Sequence, residues 1–325
     1  MPGDPMLPAG LSVVVPVFNS ESNCAELVGR LGKVLDVSAR CFEVLLVNDG
    51  SHDRSWAQIS ELAQEYPWVR GVNLMRNYGQ HNALLCGIRA ARFELTVTLD
   101  DDLQNPPEEI TKLVAAMSDD TDVVYGTPNV EQHGFLRDQS SRITKLALQS
   151  AMGVDVARNV SAFRLFRTRL REAFAAYRGP YVSVDVLLTW GTTRFAHTAV
   201  LHEPRRLGAS SYTVRKLITH AFNMMTGFST LPLQIASFVG FLFTIFGFAV
   251  LGYVAISYVT YGAAVPGFAF LASIIAIFSG AQLFALGIIG EYLARMHFRT
   301  MDRPTYLVSE TTGDPGSESH PAGSE

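Results

Sequence analysis

The sequence predicts an α/β chain: a doubly wound, mostly parallel sheet followed by an all-α transmembrane hairpin. Three observations carry this. Apolar strand-like runs alternate with helical spacings along the first part of the chain, the pattern of a parallel sheet wound with helices. Each run ends in a polar or glycine-containing loop, so the loops collect at one rim of the sheet. From Leu217 to Gly290 there is no Asp, Glu, Lys or Arg, which suits lipid better than a globular core.

The elements follow in order. Leu11 to Pro16 is a buried-type strand, and Phe18 to Ser22 is its polar loop. Glu26 to Leu35 has helical spacing through Leu27, Leu31, Val34 and Leu35. Phe42 to Val47 is a second strand, ending in Asn48-Asp49-Gly50-Ser51, and a helix runs to about Tyr66. Val69 to Leu74 is a third strand, ending at Arg76-Asn77-Tyr78-Gly79, and His81 to Ala91 is helical. A fourth strand through Leu95, Val97 and Leu99 delivers Asp100-Asp101-Asp102-Leu103-Gln104-Asn105. Pro106-Pro107 breaks it, and Glu108-Glu109-Ile110 opens a helix with acids in its first turn. Asp122 to Gly126 reads as another strand. Gln132 to Met152 reads as a loop and a helix carrying Arg137, Arg142 and Lys145. Ser161 to Phe166, Ser183 to Thr189 and Ala199 to Glu203 supply further strands and a helix, and Arg205 to Tyr212 is a basic loop.

Leu233 to Tyr261 and Ala263 to Gly290 each exceed the roughly 20 residues that cross a bilayer core. Arg205, Arg206, Arg215 and Lys216 precede the first run; Arg295, His297, Arg299 and Arg303 follow the second. The turn at Gly262 to Gly267 has no basic residue, so both ends are expected in the cytosol and the turn outside. The expected organisation is therefore a tail over 1–10, an α/β domain over 11–212, a juxtamembrane amphipathic helix over 213–231, two transmembrane helices over 232–294, and a cytosolic segment over 295–325 that is disordered from Thr311. Met1 to Gly10 lacks the basic and apolar regions of a secretory signal. The chain has 325 residues and a net charge of −4, with no basic footprint for nucleic acid. Its three cysteines, Cys24, Cys41 and Cys86, lack metal spacing and suit a reducing compartment.

The chemistry concentrates in the acid loop. Asp100 and Asp102 have one residue between them, so both can turn toward one divalent ion, with Gln104 as a neutral oxygen ligand. Hard oxygen ligands on a short loop suit Mg2+ or Mn2+. A plain polar turn between strand and helix is the competing account of those residues taken alone.

Eight segments in order resemble the family 2 glycosyltransferases of GT-A (Rossmann-like) fold, and within them the polyprenyl-phosphate, dolichyl-phosphate mannose synthase-like enzymes that carry two C-terminal membrane helices. The segments are Val15 to Asn19, Asn48 to Ser51, Arg76 to Gln80, Asp100 to Pro107, Phe163 to Leu165, Arg205 to Tyr212, Phe228 to Leu233 and Gly287 to Leu293. The resemblance implies a metal-dependent inverting glycosyltransferase at the cell membrane. It would move a sugar from a nucleotide-sugar donor to a polyprenyl phosphate of the undecaprenyl type on the cytosolic leaflet. Membrane lipid is an expected partner, nucleic acid is not, and a homo-oligomer stays open.

Residue by residue, the resemblance makes Pro16, Phe18, Asn19, Glu21, Asp49, Gly79, Gln80, Asp100 and Asp101 the nucleotide site, and Asp100, Asp102 and Gln104 the metal set. It makes Arg137, Ser141 and Arg205 the contacts of the lipid phosphate, counted with Asp100 and Asp102 as catalytic. A positive-inside role is the competing reading of the arginines. The chain departs from the family at Asn48 and Ser20, where acids are usual, with Glu21 a candidate substitute, and at Ser211, where a lysine is usual. It also has Ala162 where many members carry an Asp sometimes assigned as base. A phosphate monoester needs no such base, since its second pKa is about 6. Phe163 and Arg164 are expected either at sugar or acceptor or in packing. Two rival functions remain at this stage: a family 2 transferase using a hydroxyl acceptor, which would need a base, and a non-catalytic membrane scaffold.

Overall fold

The structure is a computed structural model that describes residues 8–128, 159–179, 182–203, 231–261 and 267–313. Its first half alternates β1 (Leu11–Val17), α1 (Cys24–Ser38), β2 (Phe42–Asn48), α2 (Ser55–Glu65), β3 (Val69–Leu74), α3 (Gln80–Ala90) and β4 (Leu95–Thr98). A 3-10 turn at Pro107–Glu109 leads into α4 (Ile110–Ala116), then β5 (Val123–Pro128). After it come β6 (Arg164–Arg167), a 3-10 helix (Thr168–Phe174), α5 (Val184–Thr189) and β7 (Phe195–Val200). Two long helices, α6 (Leu231–Tyr261) and α7 (Phe268–Thr300), are followed by β8 (Val308–Thr312).

The described strands form one sheet in the order β7-β5-β6-β4-β1-β2-β3-β8. The four strands β4, β1, β2 and β3 run parallel. β6 lies antiparallel between β4 and β5, and β7 runs parallel to β5. The central strands are buried on both faces, as strands flanked by helices must be. Val13, Val15, Val44 and Leu46 meet Leu27, Leu31 and Leu35 of α1 and Ile59 of α2 on one face. On the other, Val14, Leu45 and Val47 meet Leu84, Leu85 and Ile88 of α3 and Leu187 of α5. Helices on both faces place the strand ends, and the loops after them, at a single open rim.

Three boundaries differ from expectation. The strand expected at Ala199 to Glu203 lies upstream, at Phe195–Val200, where it pairs residue for residue with β5. The second apolar helix continues past 294 to Thr300. The third difference is the largest. Val308–Thr312, expected outside the catalytic domain and partly disordered, is β8, antiparallel on the exposed edge of β3 with Gly71 opposite Thr312 and Asn73 opposite Glu310. Asn48 Nδ2 donates to Asn73 Oδ1 at 2.7 Å, and Asn73 Nδ2 donates to Glu310 Oε1 at 3.0 Å. A row of amides therefore carries the sheet edge outward to this last strand.

Two described segments, Pro232–Thr260 and Ile277–Thr300, are long and apolar enough to cross a membrane, and neither is buried against the rest of the chain. Phe278 of α7 packs on Phe243 and Phe246 of α6, with ring centroids 5.4 and 6.4 Å away. The juxtamembrane segment, the turn at 262–266 and the end of the tail lie outside the described residues.

Candidate active site

Three loops build the site at the rim. The first leaves β1, and its Asn19 adopts a left-handed conformation at φ 53. Asn19 ties it to the loop after β2: its N–H donates to Ser51 Oγ at 3.0 Å, and its Oδ1 accepts from His52 N at 2.9 Å. In that second loop Gly50 sits at φ 65, and a Cβ on it would lie 2.4 Å from the backbone of Arg76 and Asn77. Glycine alone allows both that φ and that approach. The third loop, after β3, is held by Asp49. Its two carboxylate oxygens accept the N–H groups of Tyr78 at 2.7 Å and Gly79 at 2.9 Å. Burial raises the Asp49 carboxyl above its ordinary pKa, against the pull of those amides.

The acid loop faces them from the end of β4. Leu103 is buried and left-handed at φ 59, an uncommon conformation for a residue with a side chain. It turns the chain while Asp102 Oδ1 accepts Gln104 N at 3.1 Å across the bend. Asp101 is tied inward: its Oδ2 accepts Phe18 N at 3.3 Å, and its carbonyl accepts Asn23 Nδ2 at 3.2 Å. Asp100 Oδ1 accepts Gln80 Nε2 at 2.7 Å, which joins α3 to the acid loop. Burial, then the neighbouring charges of Asp102 and Asp101, push the Asp100 carboxyl up to about 6.

These loops enclose a cavity of about 230 Å3. Pro16, Phe18 and Asp49 line one side, with Gly79 and Gln80. Asp100, Asp101 and Asp102 line the other. Val17 and Asn77 also wall it, and sequence reasoning missed both; Asn77 stood inside a matching segment, which was the available signal. Three expected residues are not in the wall. Asn19 works as the tie between loops. Glu21 turns its carboxylate to the amide of Arg54, its Oε2 accepting at 2.9 Å. The backbone of Gln104 braces the loop, its N–H donating to Asp102 Oδ1 and its backbone carbonyl accepting Glu203 N at 2.8 Å. Arg137, Ser141 and Arg205 lie outside the described residues, as do Arg206 to Tyr212.

Behind the acid loop lies a buried charge. Arg164 of β6, opposite Thr98 of β4, is 1% exposed. Its Nε donates to Thr98 Oγ1 at 2.9 Å, and its Nη1 bonds Asp185 Oδ1 of α5. Tyr125 OH donates to the same oxygen at 3.1 Å. Phe163 is fully buried in the core, so packing is the outcome for both residues of that pair. Ala162 offers its carbonyl to Thr98 Oγ1 at 2.7 Å and has no side chain that could move a proton.

Among the described residues no group of three or more His, Cys, Asp or Glu is arranged to hold a metal. The fit of a cation rests on the loop itself. Two neighbouring carboxylates, one of them held above its ordinary pKa by burial and by the other acids, are a concentration of negative charge that a divalent ion would relieve.

The sequence matches the family described as Glycosyl transferase family 2 over residues 12–175. The chain belongs to glycosyl transferase family 2. Relatives extend the likeness beyond the family 2 segment. An undecaprenyl-phosphate 4-deoxy-4-formamido-L-arabinose transferase of Pseudomonas paraeruginosa is 35% identical over 302 residues, 92% of this chain and 89% of that protein. One of the same description from an Enterobacter species is 32% identical over 301 residues, 92% of each chain. Matches of that length in a chain of this size take in the apolar helices. Among solved structures, Mycobacterium tuberculosis glucosyl-3-phosphoglycerate synthase in complex with Mn2+, UDP-glucose and phosphoglyceric acid superposes with a TM-score of 0.51. It is 16% identical, covering 67% of this chain and 79% of that one, a likeness of fold. The family 2 glycosyltransferase described here is therefore an enzyme of GT-A fold followed by two apolar helices.

Proposed function

We propose that this glycosyltransferase moves a sugar from a nucleoside-diphosphate sugar to a polyprenyl phosphate of the undecaprenyl type at the cytosolic face of the membrane. The observation that carries the reading is the acid loop at the sheet rim, facing the Asp49-held loop, in a chain that ends in two membrane-length helices. The full-length relatives named as undecaprenyl-phosphate sugar transferases support the acceptor class. The basic residues flanking the helices support the orientation, with both chain ends in the cytosol.

In this mechanism Pro16, Phe18, Asp49 and the Asn77 to Gln80 loop bind the nucleotide. Asp49 retains lone pairs beyond the two amides it accepts, since a carboxylate has about four acceptor sites. Asp100 and Asp102 would hold Mg2+ or Mn2+, which offsets the charge that builds on the departing diphosphate. Gln80 keeps Asp100 turned to the cavity. Arg137, Ser141 and Arg205 hold the acceptor phosphate, the guanidinium groups by paired N–H donors. An oxygen of that phosphate attacks the anomeric carbon from the face opposite the diphosphate. The carbon–oxygen bond to the diphosphate breaks with its electron pair leaving on the nucleoside diphosphate, so the sugar is inverted. The attacking phosphate is already largely ionised near neutral pH, which is consistent with Ala162 standing where a base would be needed for a hydroxyl.

The test is a panel of nucleotide sugars offered to the purified full chain with polyprenyl phosphate, read by mass spectrometry of the lipid. The expected result is a mass gain of one sugar with one donor, abolished by chelator and lowered about a hundredfold or more in Asp102→Asn. Transfer to hydroxyl acceptors alone, or normal turnover in excess chelator, would overturn the reading.

A further inference from the structure

A second cavity, of about 440 Å3, lies on the other side of the Arg76–Gly79 loop. Three distant parts of the chain meet there: that loop with Asn82 of α3, Arg178 and Gly179, and the run from Phe298 at the end of α7 to Thr305. Arg76, Arg178 and Arg303 line it, and among the described residues no carboxylate does. Asp302, beside Arg303 in the chain, bonds Arg178 Nη1 at 2.6 Å. Arg303 has no acidic partner among the described residues. Arg76 lies 4.3 Å over the Tyr78 ring, and its hydrogen bond to the Asn77 carbonyl is a long one, 3.4 Å.

We propose that this cavity binds the phosphate headgroup of a membrane lipid. Arg76 and Arg303, which have no ion pair among the described residues, bring two guanidinium groups to one cavity, and such groups suit a phosphate, which they bind through paired donors. The cavity's place names the phosphate's carrier. Arg303 follows the last residue of α7, Thr300, by one short turn, so it stands where a helix leaving the bilayer meets headgroups. Phe298, half exposed beside it, offers an apolar surface to the start of the acyl chains. The inference rests on the reading that α7 spans the membrane with its C-terminal end on the side of the catalytic domain. It concerns a site other than the residues assigned to the acceptor. Asn77 and Gly79 wall both cavities, so a headgroup seated here also braces the nucleotide loop from behind.

The test places the full chain in nanodiscs of equal phosphatidylcholine and phosphatidylglycerol and counts retained lipids by native mass spectrometry. Incorporation into the discs checks the membrane reading separately. Wild type should retain phosphatidylglycerol in preference to phosphatidylcholine, and Arg303→Gln should lower that retention about tenfold, the loss of one charged hydrogen bond. Arg303→Lys should recover part of it. Thermal midpoints of both variants should match wild type, since Arg303 is exposed and unpaired by acids. A parallel arm adds polyprenyl phosphate. If it displaces phosphatidylglycerol and its own retention falls in Arg303→Gln, the headgroup is the acceptor's; if it does not compete, the headgroup is a bilayer phospholipid. Equal retention of the two phospholipids by wild type, or no fall in Arg303→Gln for either lipid phosphate, would overturn the site while leaving sugar transfer intact.

Discussion

Asp100 is a carboxylate whose charge its buried, acid-rich surroundings resist. Burial and the charges of Asp102 and Asp101 raise its pKa to about 6, so in the ion-free protein it keeps its proton up to about pH 6, well above an ordinary carboxyl. A raised carboxyl contributes most to the ion-free fold at low pH, and that contribution is lost as pH rises through about 6. A divalent ion needs the ionised form, so its binding follows the opposite course. Thermal stabilisation by Mn2+ should therefore be small at pH 5 and grow through pH 6 to a plateau above pH 7; a flat profile would remove Asp100 from the ion's partners. Gly50 gives a second expectation at this scale. Gly50→Ala places a Cβ 2.4 Å from the Arg76–Asn77 backbone at φ 65, so the loop after β3 must move. A cost of about 1–3 kcal/mol in stability is expected, with nucleotide affinity falling alongside it, measured by thermal shift and calorimetry. Sequence reasoning reached most of this wall because its residues occur at strand ends within recognisable loops. Glu21 and Gln104 fall outside the cavity wall, Glu21 because one of its carboxylate oxygens accepts the amide of Arg54 across the loops, a contact that spacing does not record.

Among the elements, β6 carries the most consequential contact. Its Arg164 connects β4, through Thr98, to α5, through Asp185, directly behind the acid loop. Arg164→Met leaves Asp185 buried against a lone hydroxyl, and removing one partner of a buried pair costs about 3–5 kcal/mol. The expected result is a large loss of stability in denaturation of the detergent-solubilised protein, partly recovered when Asp185→Leu removes the stranded charge. A single-variant loss near zero would show that the pair is solvated. The central strands were legible because each is a continuous apolar run buried on both faces. β7 was misplaced because its residues are half exposed, so apolar spacing is a weak guide to where it begins. β8 was missed for a stronger reason. Its sequence Val-Ser-Glu-Thr-Thr is exposed, and it is a strand by virtue of the ladder that β3 offers, a tertiary cause that local pattern does not record.

At the scale of the molecule, the span and the catalytic domain are joined by side chains as well as by the chain. Arg299 of α7 lies 5.9 Å over the Tyr177 ring, and Arg178 pairs with Asp302 just beyond the helix. Thiol chemistry reports on the whole arrangement. Cys24 and Cys86 are buried and their thiols pushed up to about 12, chiefly by that burial, while Cys41 is exposed. The native protein should react with one equivalent of an impermeant maleimide and the denatured protein with three. On the proposed orientation, Cys41 should label in inside-out vesicles and stay unlabelled in intact cells; labelling from outside would reverse it. The return of β8 to the sheet also has a bearing on how the enzyme is made. Both apolar helices precede that strand in the chain, so translation yields the edge of β3 unpaired and its partner last. Domains fold as they emerge, N-terminal parts first, and an open edge invites pairing with other chains. A nascent chain arrested before Val308 should be trimmed by protease at the β3 edge, and the same chain released to full length should resist. Both apolar helices are thus synthesised before the catalytic sheet can be completed, so the finished sheet is a record that the whole hairpin has already been made.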